Sequence, residues 1–335
     1  MTLRVSIVGL GKMGLSHLAI ANGLNCFKVN AIVDKQKLTK HFISRYFNVY
    51  DEIEKLDLRK TDAVIISTPN FSHFAIVKYF LKNDIHVFVE KPLTINHSQS
   101  EELKDLASQK DLTNQVGYVN RFNPIFIRAK NLITQGAIGN IASYENMMYG
   151  NVVSSGKSSS WRNDISKGGG CLFDYGSHCI DLCVFFFGNI KTVSESKLGS
   201  IHSVSADDYV NSNFSHDNGV EGRLDVNWCK PDYRKAFNEL IIKGDQGELR
   251  VNKQQIKVTT SIDSANLGIK SGTNEIFVTD DIQNTEFYLR GEDFSEQLIE
   301  FGNSIKGATP SNNSADFESS SHVDFIINQI RSRND

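Results

Sequence analysis

A short apolar run, LRVSIVG (3–9), leads through Gly9-Leu10-Gly11-Lys12-Met13-Gly14 into an amphipathic stretch from Lys12 to Gly23. Three glycines at this spacing let the chain turn sharply and let a following helix lie almost against the strand it leaves. That geometry opens a β-α-β unit, and the next hundred residues repeat it. Strand-like runs at KVNAIVD (28–34), DAVIIST (62–68), HVFVE (86–90) and NQVGYV (114–119) alternate with helical stretches at 12–23, 35–47, 71–82 and 96–110. The first helix is expected to turn Met13, Leu15, Leu18 and Ala19 inward. Near-continuous apolar strands joined by helices predict a parallel sheet covered on both faces.

Beyond about residue 138 the texture changes. Alternating runs at 141–149, 191–198, 209–214, 220–228, 237–243, 248–251 and 256–260 predict a large, mainly antiparallel sheet, with turns at DNG (217–219) and GDQG (244–247). One strong helix, 171–188, interrupts the set, and two more are expected near 293–306 and 316–331. The fold expected is α/β in two parts: an N-terminal Rossmann dinucleotide-binding domain over 1–122, and a C-terminal α/β domain with an open sheet over 123–335.

Composition excludes several classes. With 36 basic and 39 acidic residues among 335, a net charge of −3 and a pI near 6.3, nothing marks a nucleic-acid or acidic-membrane surface. Five cysteines are too few and odd for a disulfide framework. No apolar stretch approaches a membrane-spanning length, and the N-terminus lacks the shape of a signal peptide. A cytoplasmic protein binding neither nucleic acid nor membrane is expected.

The candidate chemistry gathers in three places. Gly9, Gly11 and Gly14, with Lys12 and Met13 opening the helix, suit a pyrophosphate on a helix N-terminus. Asp34, 20 residues beyond Gly14, ends the second apolar strand, where a carboxylate accepts from ribose hydroxyls and repels a 2′-phosphate. NAD(H) is therefore favoured over NADP(H), although the neighbouring Lys35 weakens the preference. FVEKPL (88–93) puts Lys91 at the carboxyl end of a strand, beside Glu90 and before Pro92, where an ammonium can polarise a substrate oxygen. GGGCLFDYGSHCIDL (168–182) carries Asp174 and His178 at i, i+4 spacing on one helix face, a pairing that serves either acid/base chemistry or an ordinary ion pair. Cys179 and Cys183 read as small apolar helix residues, and no ligand spacing supports a metal. His202, His216 and His322 lie outside any motif.

Together GLGKMG (9–14) with His17 after it, STPNFSH (67–73), EKP (90–92), GYVNRFNP (117–124) and GGGCLFDYGSHCIDL resemble the Gfo/Idh/MocA family, the glucose–fructose oxidoreductase and inositol dehydrogenase type of NAD(P)-dependent enzyme. The motifs run in the family's order over more than half the chain. The resemblance implies Lys91, Asp174 and His178 as the catalytic set, with His178 or a Lys91 of depressed pKa as base. It further implies Thr68, Pro69, Asn70, His73 and Glu90 along the dinucleotide. The reaction implied is hydride transfer between nicotinamide and a carbinol carbon of a sugar, cyclitol or nucleotide-linked sugar, at a cleft shared by Lys91 and His178. A homodimer or homotetramer is expected, with the open sheet covered because an apolar face of that size invites aggregation.

Asn120, Arg121, Trp161 and Arg162 are the candidate substrate residues. Arg121 reads equally as a fork for a carboxylate or phosphate and as an interdomain salt bridge. Trp161 reads as a sugar-stacking residue or as part of a plain surface loop. Two other functions fit the same fold: a non-catalytic dinucleotide-binding regulator, and an NAD-retaining enzyme of glycosidase type.

Overall fold

The computed structural model describes residues 2–36, 42–153, 163–280 and 284–333. Residues 37–41 of the expected 35–47 helix, together with Trp161 and Arg162, lie outside them. The chain forms two compact units, residues 1–122 with 283–324 and residues 123–282 with 325–335. Each unit is thus built from two stretches of chain, 283–324 returning to the first, whereas the sequence boundary left all of 123–335 in one domain.

In the first unit, six parallel strands lie in the order β3-β2-β1-β4-β5-β6. They are β1 (Leu3–Val8), β2 (Phe27–Val33), β3 (Asn48–Tyr50), β4 (Ala63–Ile66), β5 (His86–Val89) and β6 (Asn114–Val116). Three helices alternate with them: α1 (Lys12–Gly23), α2 (His73–Lys82) and α3 (His97–Gln109). Val5, Ile7, Ile65 and Phe88 are wholly buried, as a sheet covered on both faces requires. The order reverses between β1 and β4, and in open α/β sheets ligands bind at such a switch point. The buried side of α1 carries Gly14, His17, Leu18, Ile20 and Ala21, while Leu15 turns outward, so the inward face is displaced from the one expected.

The C-terminal return has a physical cause. Helix α6 (Glu292–Ile305) buries Leu298 and Phe301 in the same core as Leu3, Ile7 and Phe27, with Phe301 edge-on to Phe88 at 5.9 Å. The edge of β6 is occupied as well: Val116 N donates to Ala315 O at 2.8 Å, and Gln115 Nε2 to Gln297 O at 2.9 Å.

The second unit holds an eight-stranded sheet in the order β14-β13-β12-β11-β7-β10-β9-β8. Its strands are β7 (Ile141–Tyr149), β8 (Ile190–Gly199), β9 (Tyr209–His216), β10 (Glu221–Asn227), β11 (Phe237–Gly244), β12 (Gly247–Asn252), β13 (Gln255–Thr260) and β14 (Gly272–Phe277). Only the β7–β10 pair is parallel. Helix α4 (Pro124–Thr134) was not read from the sequence, although Asn123 accepts from Ile125 N and Phe126 N and a proline opens the first turn. Helix α5 (Ser177–Phe187) follows a π-turn over Leu172–Gly176. The run Ile165–Phe187 is long and apolar enough to cross a membrane by composition, contrary to expectation, but 89% of its apolar window is buried within the protein. Helix α7 (Phe317–Ser332) is divided, its residues up to Asp324 belonging to the first unit and the rest to the second.

One face of this sheet is apolar and buried, through Met148, Val210, Phe214, Leu224, Leu240, Leu249 and Val258. The other is not the apolar face expected. A row across it reads Glu275, Lys257, Arg250, Ile241, Glu145, Arg223, Asn213, each residue opposite the next. Strand alternation puts charged and amide side chains there, so the aggregation argument for covering it does not apply.

A buried carboxylate organises one end of the sheet. Asp208 Oδ2 accepts from the N–H groups of Ile201 (2.6 Å), His202 (2.5 Å) and Ser203 (2.8 Å), and Oδ1 accepts from Trp228 Nε1 at 2.8 Å. Burial pushes this carboxyl up, but the donors outweigh burial and hold it at about 2. A carboxyl held below its unfolded value stabilises the fold above the ordinary aspartate range, and the contribution is lost as pH falls towards about 2. Asp208→Ala should therefore cost about 2 kcal/mol or more at pH 7. Urea unfolding at descending pH should show the gap to wild type closing in acid; a gap constant with pH would reject this account.

Candidate functional site

The glycine loop is shaped by backbone contact. Gly9 has φ +91°, and a Cβ there would lie 2.9 Å from Ser67 O; a Cβ on Gly14 would lie 1.9 Å from Gly9 O. Gly11 is the opposite case, since a Cβ would meet nothing within 4 Å. No side chain caps the first turn of α1, and no acidic residue lies in it. The first amides of the helix therefore carry no side-chain cap among the described residues, the arrangement a pyrophosphate can use. Lys12 is exposed beside them and Met13 is half-buried.

Asp34 closes the same loop. Its Oδ2 accepts from Leu10 N at 2.6 Å and its Oδ1 from Gln36 N at 2.7 Å. Each oxygen keeps acceptor capacity for a ribose hydroxyl. These residues fit a dinucleotide: open amides for phosphate, a carboxylate for ribose, and no side chain filling the cradle at Gly11.

The turns after β4 and β5 are joined by His73. Its Nδ1 lies 2.9 Å from Pro92 O and its Nε2 lies 2.9 Å from Thr68 O. The ring is fully buried, so it braces the two turns from below. Burial, opposed by these two carbonyls, lowers its pKa. Thr68 Oγ1 accepts from Ser72 Oγ at 2.8 Å; Thr68 and Pro69 are half-buried and Asn70 is buried in the 3₁₀ turn Asn70–Ser72.

Lys91 is half-buried at the end of β5, and the Lys91–Pro92 peptide is cis. Beside it, Glu90 Oε1 lies 2.6 Å from Nε2 of the buried His17. Burial pushes the Glu90 carboxyl up, but the interaction with His17 and the charge of Lys91 prevail and hold it low. Beyond the turn, Thr94 N donates to Asp324 Oδ2 at 2.9 Å. Asn120 and Arg121 are buried in the 3₁₀ helix Val119–Phe122, where Arg121 Nη1 donates to Ser314 O at 3.2 Å. That contact is local to the first unit.

In the second unit, the run 171–187 is buried at every position except Asp174 and His178. Two devices orient it. Asp207 accepts from Leu172 N at 2.7 Å; Gly170, at φ +108°, admits this carboxylate where a Cβ would lie 2.3 Å from Oδ1. Burial raises Asp207 to about 6. Further along, Asn146 Nδ2 on β7 donates to Cys179 O at 3.0 Å, and Asn238 Nδ2 on β11 donates to Asn146 Oδ1 at 3.0 Å. Asn146 Nδ2 also lies 3.5 Å from Cys183 Sγ. Small thiols let these amides approach the helix, and burial pushes the Cys183 thiol up to about 12. His17, Asp207, Asn146 and Asn238 escaped assignment from sequence. His17 alone left a signal, by following the glycine motif on the face that carries Gly14.

A parallel sheet with a switch point, a glycine loop opening its first helix and a carboxylate closing that loop are the marks of a Rossmann dinucleotide-binding fold. Residues 3–118 match the oxidoreductase family with an NAD-binding Rossmann fold, and 126–250 match the GFO/IDH/MocA C-terminal domain. The chain belongs to the Gfo/Idh/MocA oxidoreductase family. It is 26% identical over 213 residues to an NADP(+)-dependent scyllo-inositol 2-dehydrogenase of Bacillus subtilis, covering 62% of this chain and 58% of the relative. It is 27% identical over 198 residues to the NAD(+)-dependent enzyme of that organism, covering 57% and 56%. The chain spans about half the length of the curated relatives it matches. Levoglucosan dehydrogenase in complex with NADH shares the fold, with a TM-score of 0.87 and 20% identity over 100% of this chain and 97% of that one.

Gly14→Ala forces the backbone contact at Gly9 open. It should lower stability by about 2 kcal/mol or more and weaken dinucleotide binding at least about tenfold, read by thermal unfolding and NADH fluorescence titration. Unchanged affinity would remove the loop from the binding site.

Proposed function

We propose that the protein is an NAD(H)-dependent dehydrogenase acting on a secondary alcohol of a sugar, cyclitol or nucleotide-linked sugar. The observation that carries the reading is that Asp174 and His178 alone are only partly buried in an otherwise fully buried run, 171–187. A structural ion pair needs no such selective exposure. Family membership and the inositol dehydrogenase relatives support the substrate class.

In this reading Gly9, Gly11, Lys12, Met13 and Gly14 hold the pyrophosphate. Asp34 holds the ribose, and Thr68, Pro69 and Asn70 flank the remainder. Bound NAD(H) supplies the two-electron acceptor for the carbinol carbon. Lys91 donates a hydrogen bond from Nζ to the reacting oxygen and stabilises the developing alkoxide. His178 takes the hydroxyl proton on its imidazole, and Asp174 orients that ring. Glu90 and His73 brace the turns that carry Lys91 and Thr68, a supporting role distinct from the lining role drawn from the resemblance.

The second unit serves substrate binding and assembly in this reading. A homodimer or homotetramer rests on the family resemblance, and sedimentation at micromolar concentration tests it. The five free cysteines suit a reducing cytoplasm.

Two measurements test the chemistry. A screen of NAD+ reduction against polyols, sugars and nucleotide sugars should find a substrate with net turnover. On that substrate Lys91→Met and His178→Asn should each lower kcat about 100-fold or more, with NADH affinity changed less than about threefold. Near-normal turnover in either variant removes that residue from the mechanism. Unmodified protein should bind NADH at least about threefold more tightly than NADPH, and Asp34→Ala should narrow the gap; equal affinities would overturn the assignment of Asp34.

A further inference from the structure

Glu90 is held more firmly than a strand-end glutamate requires. Its main chain stays in the sheet, with Glu90 N donating to Ile66 O at 2.9 Å. Its carboxylate meets His17 Nε2 at 2.6 Å, and the imidazole, 0% exposed, stands edge-on to Phe88 with ring centroids 5.3 Å apart. On another side the carboxylate lies against Gly117, where a Cβ would come 3.2 Å from Cδ and 3.3 Å from each oxygen. Because a carboxylate only accepts, His17 Nε2 carries the shared proton. Among the described residues His17 Nδ1 is buried with no hydrogen-bond partner, and Glu90 is the one that hydrogen-bonds the ring. Spending a buried imidazole on one carboxylate costs desolvation that a packed leucine would avoid. The residue that gains is the next in the chain, Lys91.

We propose that His17 is a positioning residue for Lys91, acting through Glu90 to fix a carboxylate beside the ammonium and to set where the 90–92 turn leaves the sheet. This rests on the dehydrogenase reading given above. Helix α1 thus serves both ends of the chemistry: its first turn presents amides, and a few residues on it anchors the lysine turn. Among the described residues the titratable groups that act on Glu90 are His17 on α1, Lys91 beside it and His73 on α2, and the Gly117 backbone just after β6 packs against its carboxylate.

The test compares His17→Leu, which removes the donor, with His17→Gln, which retains an N–H of similar reach. Each is made in the wild type and in Lys91→Met. His17→Leu should lower kcat at least about tenfold with KM and NADH affinity within about threefold, and His17→Gln should recover most of the loss. In the Lys91→Met background His17→Leu should cause no further loss, because the residue it serves is gone. A full additional loss there would make His17 a general structural residue and overturn the proposal. Carbon-13 titration of the Glu90 carboxyl gives a readout independent of turnover. Its midpoint should lie below the ordinary glutamate range in the wild type, rise in His17→Leu and return in His17→Gln; an unmoved midpoint overturns the proposal. If His17→Leu fails to fold, Glu90→Gln replaces it in both backgrounds with the same expectation for kcat. A protein without turnover on any alcohol refutes the dehydrogenase reading, and the carboxyl titration still decides whether His17 governs Glu90.

Discussion

The close approach of α1 to the loop it leaves is the contact on which the first unit depends. With Gly14 against Gly9 O, the helix axis is set at backbone distance from the end of β1. Any side chain at Gly14 would push the whole helix outward. Such a shift would carry the open amides near Gly11 with it, and it would withdraw His17 from Glu90, because both lie on the same rigid element. One steric requirement therefore governs a glycine loop and a lysine turn that are far apart in sequence.

The second unit solves a different problem, the rotation of a helix buried nearly all round. An apolar helix in an apolar bed has many nearly equivalent rotations, since dispersion contacts carry little direction. Asn146 and Asn238 remove that freedom: a buried amide must find its partners, and these two find them only when the Cys179 carbonyl faces the sheet. Asp207 pins the other end at Leu172 N. The π-turn lies between those anchors, and Asp174 and His178 are left as the only partly buried positions of the run.

Much of the fold was legible in the sequence because its signals are local. The glycine motif, apolar runs of four to seven residues and alternating strands specify β1, β2, β4 to β13 and most helices to within a few residues. What escaped had weak or competing local signals. Strand β3 is three residues long, and β14 reads GTNEIF, with glycine, threonine and asparagine at its start. Helix α4 hides behind NPIFI, whose β-branched residues mask a capped start. The docking of α6 could not be read, because an amphipathic helix announces an apolar face without naming its partner. The open sheet face was misjudged for the same reason: alternation shows that one side is polar, but not which side the covering helices take. In the site, lysine, aspartate and histidine stood out by type. The amides and carboxylates that hold them did not, since Asn146 and Asp207 look like any polar residue until their partners are known.

The divided first unit bears on the order in which a ribosome can deliver this protein. Residues 1–122 emerge first, yet they lack Leu298 and Phe301 of their own core and leave Val116 N on a bare sheet edge. The sheet of the second unit lies wholly within 141–277, so its strands are all available before α6 leaves the tunnel. This nascent segment must wait with exposed apolar surface and an unpaired edge, the condition that invites chaperone capture or strand exchange with a neighbouring chain. Cutting the gene at residue 122 would freeze the protein in that waiting state, whereas joining 1–122 to 283–324 through a short linker would supply the missing core.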